Sequence, residues 1–191
     1  MGPDVAQPSI HPTALVEPGA IVGPGTKIWH RSHIRGGSRI GADCTIGFAV
    51  YVDAGVLIGD RCKIQNHVSL YRGVTLEDDV FVGPAVAFTN DRYPRAGSSE
   101  WEVVPTVVRR GASLSANATV VCGTELGRWS MVGAGAVVTS DVPHHGLVLG
   151  VPARLVGWVC VCGRPLARLG EQLPDACGHC ARPTSEMAVA V

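Results

Sequence analysis

From Ile10 onward an apolar residue returns at every sixth position: Ile10, Val16, Val22, Ile28, Ile34, Ile40, Ile46, Val52, Ile58, Ile64, Leu70, Leu76, Val82 and Phe88. The beat lapses and then resumes at Val108, Leu114, Val120, Leu126, Val132 and Val138. A period of six fits neither the 3.6-residue turn of a helix nor the two-residue alternation of a strand, so the chain must be a repeat architecture. Four residues after most of these positions stands a small or β-branched residue, as at Ala14, Thr26, Ser32, Cys44, Val50, Cys62, Val68, Ala112, Ala118 and Ala136. Between them lie Gly, Asp, Asn and Pro, which turn a chain at little cost, as in Ile40-Gly41-Ala42-Asp43. Each hexad therefore predicts a short strand and a turn. Three hexads close a triangular coil, and coils stacked roughly 4.8 Å apart let each strand pair with those above and below. The expected fold is an all-β parallel β-helix of about seven coils, with the repeated Ile and Val stacked in columns inside the prism.

Length and composition agree with one solenoid and a tail. The 191 residues carry 16 Lys and Arg against 16 Asp and Glu, with 5% aromatic residues, so no nucleic-acid footprint and no membrane-binding face is indicated. No apolar run of about 18 residues offers a membrane span. Met1-Gly2 is followed by Ala6 where a myristoylation signal wants Ser or Thr, and no secretory leader is legible, so a cytoplasmic location is expected. The division predicted is an N-terminal arm over 1–9, the β-helix over 10–158 and a Cys-rich tail over 159–191. Cys44 and Cys62 occupy the small-residue column and read as packing.

Hexads of the form Ile-Gly-x-x-small-x, an interruption near the middle and a closing Gly150-Val151-Pro152-Ala153-Arg154 resemble the hexapeptide-repeat acyltransferases. Within that group, several segments resemble the N-acetyltransferases that act on nucleotide-linked amino sugars. These are Ile10-His11-Pro12-Thr13-Ala14, Ile28-Trp29-His30, Lys63-Ile64-Gln65-Asn66, Leu76 to Pro84, Phe88-Thr89-Asn90-Asp91 with Tyr93-Pro94-Arg95, and Val132 to Val138. The resemblance implies a left-handed coil, which the period cannot supply since parallel crossovers generally favour the right hand. It also implies a homotrimer, an acetyl-CoA cosubstrate and a UDP- or dTDP-linked 3-amino or 4-amino sugar as acceptor.

From Phe88 to Val108 is not a whole number of hexads, so a loop of about fourteen residues, within 90–107, must leave the prism at a corner. Long loops on compact scaffolds usually carry function, although a trimer contact or a tolerated insertion would read alike. In the family such a loop reaches over a neighbouring subunit and helps to close the active site.

Acetyl transfer to an amine requires the amine unprotonated, the developing oxyanion held and the coenzyme A thiolate released. Thiolate leaves readily, so the main need is an acceptor for the amine proton, and histidine has the ordinary pKa best suited to it. Of His11, His30, His33, His67, His144, His145 and His179, His67 is the catalytic candidate, because it stands beside Asn66 at an outward-facing turn. Asn90, at the root of the loop, cannot act as a base, but its amide can align the amine lone pair. The resemblance places an asparagine at the position of Asn90 beside the sugar amine, with the sulfur of coenzyme A as proton acceptor. It also marks two departures: His67 stands where relatives carry a second asparagine, and Phe48-Ala49 where they often carry Gln-Asn. Base and sulfur both remain open.

Substrate contacts are expected from Asn66 and Asp91, and from Trp29, His30 and Arg31, a cluster that reads equally as subunit interface. Ala116 and Ala134 lie eighteen residues apart and so share a corner with Gly133; small residues there let the pantetheine arm approach the backbone. Arg154 is the candidate for the adenosine phosphates, with a solvated surface arginine as the plain alternative. In the tail, Cys160 and Cys162 precede Cys177 and Cys180, two pairs spaced much as in a zinc ribbon, although the first pair has one intervening residue rather than two. Structural zinc, free thiols and a disulfide are the readings left open. Two alternatives to sugar N-acetylation stand: O-acetylation of a small molecule, and a carbonic-anhydrase-like β-helix. The latter needs three converging histidines, and none lies eighteen residues from His67.

Overall fold

The computed structural model describes residues 6–98 and 101–187. Most of the arm (1–5), Ser99 and Glu100 of the loop, and the last four residues of the tail lie outside the described residues. The hexads form a parallel β-helix of three sheets, most of whose strands are two residues long. The first face runs from Ser9–Ile10 through Lys27–Ile28, Thr45–Ile46, Lys63–Ile64, Phe81–Val82, Ser113–Leu114 and Met131–Val132 to Gly146–Leu149. The second runs from Leu15–Val16 to Val137–Val138, and the third from Ile21–Val22 to Glu125–Leu126. Pairing is in register by one coil, Ile28 with Ile46, Ile46 with Ile64 and Ile64 with Val82, so the inward side chains form continuous columns. From Ile28 to Val138 these columns are buried, whereas Ile10 is 43% exposed, because no coil among the described residues lies beneath the first.

The turn chemistry explains the period. One residue per corner takes the left-handed backbone region, and it recurs every six positions: Gly19, Gly25, Arg31, Gly37, Asp43, Ala49, Gly55, Arg61, His67, Gly73, Asp79 and Ala85, then Gly111, Asn117, Gly123, Trp129 and Gly135. That single reversal turns each strand into the next face; a non-glycine residue there bears about 1–2 kcal/mol of backbone strain and must project outward. The small column beside it is tied as well as packed. The Thr26 and Ser32 hydroxyls donate to Gly41 O and Gly47 O at 2.7 Å. Cys44 and Cys62 Sγ donate in the same way to Gly59 O and Glu77 O at 3.1 and 3.0 Å. This shared bond lets Thr26, Ser32, Cys44 and Cys62 interchange at that position, whereas Ser38 and Thr124 donate instead to Arg35 O and Val121 O.

The fifth coil contains the insertion. Lys63 pairs with Phe81, but Phe81 pairs with Ser113, so this coil is fourteen residues longer than its neighbours. The extra chain leaves between Ala87–Phe88 and Thr106–Val108, at the corner joining the second and third faces. Above the last coil, Arg154–Val159 returns antiparallel on Gly146–Leu149 and is followed by Pro165–Arg168. No helix among the described residues is long and apolar enough to cross a membrane.

Candidate active site

One edge of the prism, the corner between the first and second faces, gathers most of the residues singled out in the sequence. Ascending it, the turns carry His11-Pro12-Thr13, Trp29-His30-Arg31, Gly47-Phe48-Ala49, Gln65-Asn66-His67, Gly83-Pro84-Ala85, Ser115-Ala116-Asn117 and Gly133-Ala134-Gly135. Backbone bonds lace successive turns: His67 N–H donates to Phe48 O, Ala85 N–H to Asn66 O, Asn117 N–H to Pro84 O and Gly135 N–H to Ala116 O, each at 2.9 Å.

The lower half of this edge is aromatic and polar. His11 and His30 meet at 4.8 Å between centroids with their planes tilted by 46°, His30 meets Phe48 at 5.3 Å, and Phe48 meets His67 at 5.1 Å. The Arg31 guanidinium lies 5.9 Å from the centre of the Phe48 ring, within cation–π range. On the side facing the first sheet, Trp29, His30, Phe48, Gln65 and Asn66 line an open hollow of about 350 Å³. His67 is exposed, at φ 60°, and neither ring nitrogen has a hydrogen-bond partner among the described residues. Asn66 Oδ1 accepts the Phe48 N–H at 2.9 Å, which leaves the amide nitrogen to face outward. Asp60 and Asp78 perform the same backbone task on another corner, for Ala42 N–H at 2.8 Å and Asp60 N–H at 2.9 Å, so this bond alone explains an Asn at position 66 as a turn-tying residue.

The upper half is bare. Pro84, Ala116 and Ala134 stack at one turn position; Ala134 is exposed and Gly133 is buried beside it. The N–H groups of Ala116 and Ala134 have no acceptor among the described residues, since the turn-tying oxygen that Asn66 supplies to Phe48 has no counterpart above them. Over this stretch passes Gly150 to Ala153, held by Val137 N–H to Gly150 O at 3.0 Å and Ala153 N–H to Val137 O at 2.7 Å. Arg154 is therefore at the top of the same edge; it is exposed, and its Nη1 donates to Ala153 O at 3.2 Å.

Asn90 and Asp91 are on another edge. Asn90 Nδ2 donates to Arg72 O at 3.3 Å, and Asn90 O accepts Val104 N–H at 3.0 Å, closing the root of the insertion at the corner between the second and third faces. Asp91 Oδ1 accepts Tyr93 N–H at 2.8 Å and shapes the loop. Within one chain the structure thus brings together His67, Asn66, Trp29, His30, Arg31, Ala116, Gly133, Ala134 and Arg154, but not Asn90 or Asp91. Of the other histidines, His33 is bound to Glu17 at 2.6 Å, His144 accepts Arg128 N–H at 2.8 Å, and His145 is buried with Nδ1 2.9 Å from Val159 O. Burial holds the His145 pKa below the usual histidine range.

The repeated turns are those of a known family. The pattern described as "Bacterial transferase hexapeptide (six repeats)" matches residues 19–54, and "Hexapeptide repeat of succinyl-transferase" matches 38–72 and 114–140. Over those residues the chain has the repeats of the hexapeptide-repeat transferases. Among curated relatives of this hexapeptide-repeat chain, the dTDP-3-amino-3,6-dideoxy-alpha-D-galactopyranose 3-N-acetyltransferase of Aneurinibacillus thermoaerophilus is 45% identical over 73 residues, 38% of each protein. Serine acetyltransferase 4 of Arabidopsis thaliana is 36% identical over 116 residues, 60% of this chain and 28% of that protein. The chain therefore spans well under half the length of these relatives. A crystal structure of a histidine-to-alanine variant of GDP-perosamine N-acetyl transferase from Caulobacter crescentus, with CoA and GDP-perosamine, superposes with a TM-score of 0.53 at 27% identity, over 80% of this chain and 58% of that one.

One feature of the hexapeptide-repeat edge was not read from sequence. His11 extends the ring ladder downward, a contact signalled only by its place one coil below the Trp29-His30 turn. The free N–H groups of Ala116 and Ala134 follow from the absence of Asn or Asp one coil above each, a pattern visible once the tying bonds are known.

Proposed function

We propose that this protein transfers an acetyl group from acetyl-CoA to the amine of a nucleotide-linked 3-amino or 4-amino sugar, at sites shared between the copies of a homotrimer. The observation that carries this reading is the division of one edge into a bare upper half with free N–H groups and a ring-lined lower half ending at His67. The upper half suits a pantetheine arm, because small residues admit it to the backbone and Ala116 and Ala134 can donate to its carbonyls. Arg154 at the head of the edge suits the adenosine phosphates. The lower hollow, with Trp29 on its rim and Arg31 nearby, suits a stacked base and a diphosphate. The thioester then meets the amine near His67, which accepts the amine proton.

Because Asn90 occupies a different edge, a second copy must supply it if both residues serve one acceptor. That requirement agrees with the loop leaving the prism at a corner and suits a cyclic assembly such as the homotrimer proposed. The sugar acceptor is favoured by the relative acting on a dTDP-linked amino sugar and by the structure holding GDP-perosamine. O-acetylation of a small molecule is the second reading, favoured by the longer match to a serine acetyltransferase. A direct test is incubation with acetyl-CoA and a panel of UDP-, dTDP- and GDP-linked amino sugars, with serine included, following thiol release and product mass. Gain of one acetyl on an amino sugar supports the proposal; acetylation of serine alone overturns it in favour of the second reading.

A further inference from the structure

The tail poses a folding problem that its own side chains do not solve. Beyond Val159 its described apolar core consists of Cys160, Cys177 and Met187, with Val161 and Leu166 alongside. So small a core cannot hold a module of this length, and domains this short generally need a covalent or metal staple. Two tight loops nevertheless bring all four tail cysteines to one point. The first closes with Gly163 N–H to Cys160 O at 2.8 Å and Cys160 N–H to Arg164 O at 2.9 Å. The second closes with Ala181 N–H to Cys177 O and Cys177 N–H to Arg182 O, both at 2.9 Å. Gly163 and Ala181 take the left-handed backbone that each reversal needs, at φ 82° and 55°.

The four sulfurs lie within 4.8 Å of one another, with Cys160 and Cys180 at 3.5 Å and Cys162 and Cys177 at 3.7 Å. Four thiolates about 2.3 Å from a central zinc would stand roughly 3.8 Å apart at the corners of a tetrahedron. Disulfides would instead draw the sulfurs of each pair to about 2.05 Å and would not require the two pairs to converge. We infer that Cys160, Cys162, Cys177 and Cys180 bind one zinc ion, which folds the tail and fastens it to the end of the β-helix. With four thiolates the coordination is closed, so the metal is structural. Its connection to the scaffold is short: Cys160 directly follows Arg154–Val159, and Val159 is held on both sides by His145, through Val159 N–H to His145 O at 2.8 Å and His145 Nδ1 to Val159 O. The ion thereby keeps an antiparallel strand over the last edge of the first sheet, an edge that would otherwise be open to pairing with another chain.

The inference is independent of the reaction proposed above and is tested without assaying it. The full chain, purified without chelator after growth with zinc, is assayed by elemental mass spectrometry and native mass spectrometry; about one zinc per chain is expected, as a closed tetrathiolate site requires. After exchange into cobalt, the visible spectrum should show the intense bands of tetrahedral cobalt thiolate. The Cys162→Ser/Cys180→Ser variant, altered at the two exposed ligands, should retain the β-sheet circular dichroism signal but lose both metal and bands, and its tail should become sensitive to limited proteolysis. Wild-type protein that is metal-free with four reactive tail thiols, or that contains two disulfides, would overturn the inference whatever the variant does.

Discussion

The imidazole of His67 meets the ring of Phe48 edge-on, with centroids 5.1 Å apart and planes inclined by 82°. An exposed histidine would ordinarily sample several rotamers. Here the aromatic contact one coil below restrains it, while neither nitrogen is bonded among the described residues. Phe48 is itself flanked by His30 and by the Arg31 guanidinium, both from the coil below, so the imidazole stands at the head of a fixed ladder.

If His67 takes the amine proton, His67→Asn should reduce kcat by at least about a hundredfold, the lower range for loss of a general base. Asn is the appropriate replacement because it tolerates the left-handed backbone at φ 60°. The thermal unfolding midpoint should therefore move little. Steady-state kinetics with a normal melting curve checks this, and a loss of only a few-fold would return the proton to the sulfur of coenzyme A.

Separation of Asn90 from His67 on two edges makes a complementation experiment decisive. Asn90→Ala should lower turnover strongly without altering assembly, since among the described residues the side chain gives up only its 3.3 Å bond to Arg72 O. Mixing the Asn90→Ala and His67→Asn chains before assembly should restore about a quarter of wild-type sites if each site takes one residue from each of two neighbouring copies in a cyclic oligomer. If both residues acted within one chain, no activity would return.

The fold was legible because its cause is local and repeated: one inward Ile or Val per hexad and one left-handed turn residue at a fixed offset, as at Ile64 and His67. Shared corners were legible for the same reason, since a separation of eighteen residues places Ala116 under Ala134. The interval between Phe88 and Val108 revealed the insertion, and the unbroken beat up to Phe88 sets Asn90 on another corner than Asn66, since 24 residues is not a multiple of eighteen; what the loop covers is not written in any period. Asn66 shows a further limit. Its residue type suggested substrate contact, and the structure shows its oxygen already engaged with the Phe48 N–H. In the tail, the single residue between Cys160 and Cys162 weakened the zinc-ribbon pattern in sequence; in space, the turn at Gly163 brings their sulfurs into one cluster.

Acid should weaken the corner between the third and first faces. Asp79 receives Arg61 Nε at 2.7 Å and Arg110 Nε at 3.0 Å, and these guanidinium bonds, Arg61 first, hold its carboxyl below the usual aspartate range. A carboxyl depressed on folding contributes stability above its unfolded pKa, near 3.9, and that contribution is lost as pH falls through the folded value. Asp79→Asn, which also suits φ 60°, should be less stable than wild type at pH 7 and should show a shallower decline below about pH 4, where wild type loses the same interaction. Melting curves across pH check this; parallel acid limbs would remove Asp79 from the account.

Gly111 has a steric reason to lack a side chain. A β-carbon there would land on the ring of Trp129, one coil above, and φ of 71° disfavours any substituted residue. Gly111→Ala should therefore cost about 1–3 kcal/mol, the range for a strained backbone position. Equilibrium unfolding in urea measures it, and an unchanged midpoint would show that the Trp129 ring swings away freely.

The role of the free N–H at Ala134 can be isolated by a change that the scaffold already contains. Pro84 occupies the same turn position on the same edge and is likewise preceded by a glycine, Gly83 there and Gly133 here, so the backbone at this corner accepts proline. Ala134→Pro deletes one donor and breaks no bond, because that N–H has no acceptor among the described residues. Restricting the unfolded chain should leave the protein equally stable or more stable by about 0.4–1 kcal/mol. If the N–H donates to bound coenzyme A, the variant should bind acetyl-CoA roughly 3- to 10-fold more weakly, the cost of one hydrogen bond of about 0.5–1.5 kcal/mol. Titration calorimetry with acetyl-CoA, set beside the melting curve, separates these effects. A stable variant with unchanged affinity would show that this donor faces only water and would move the pantetheine arm off the corner.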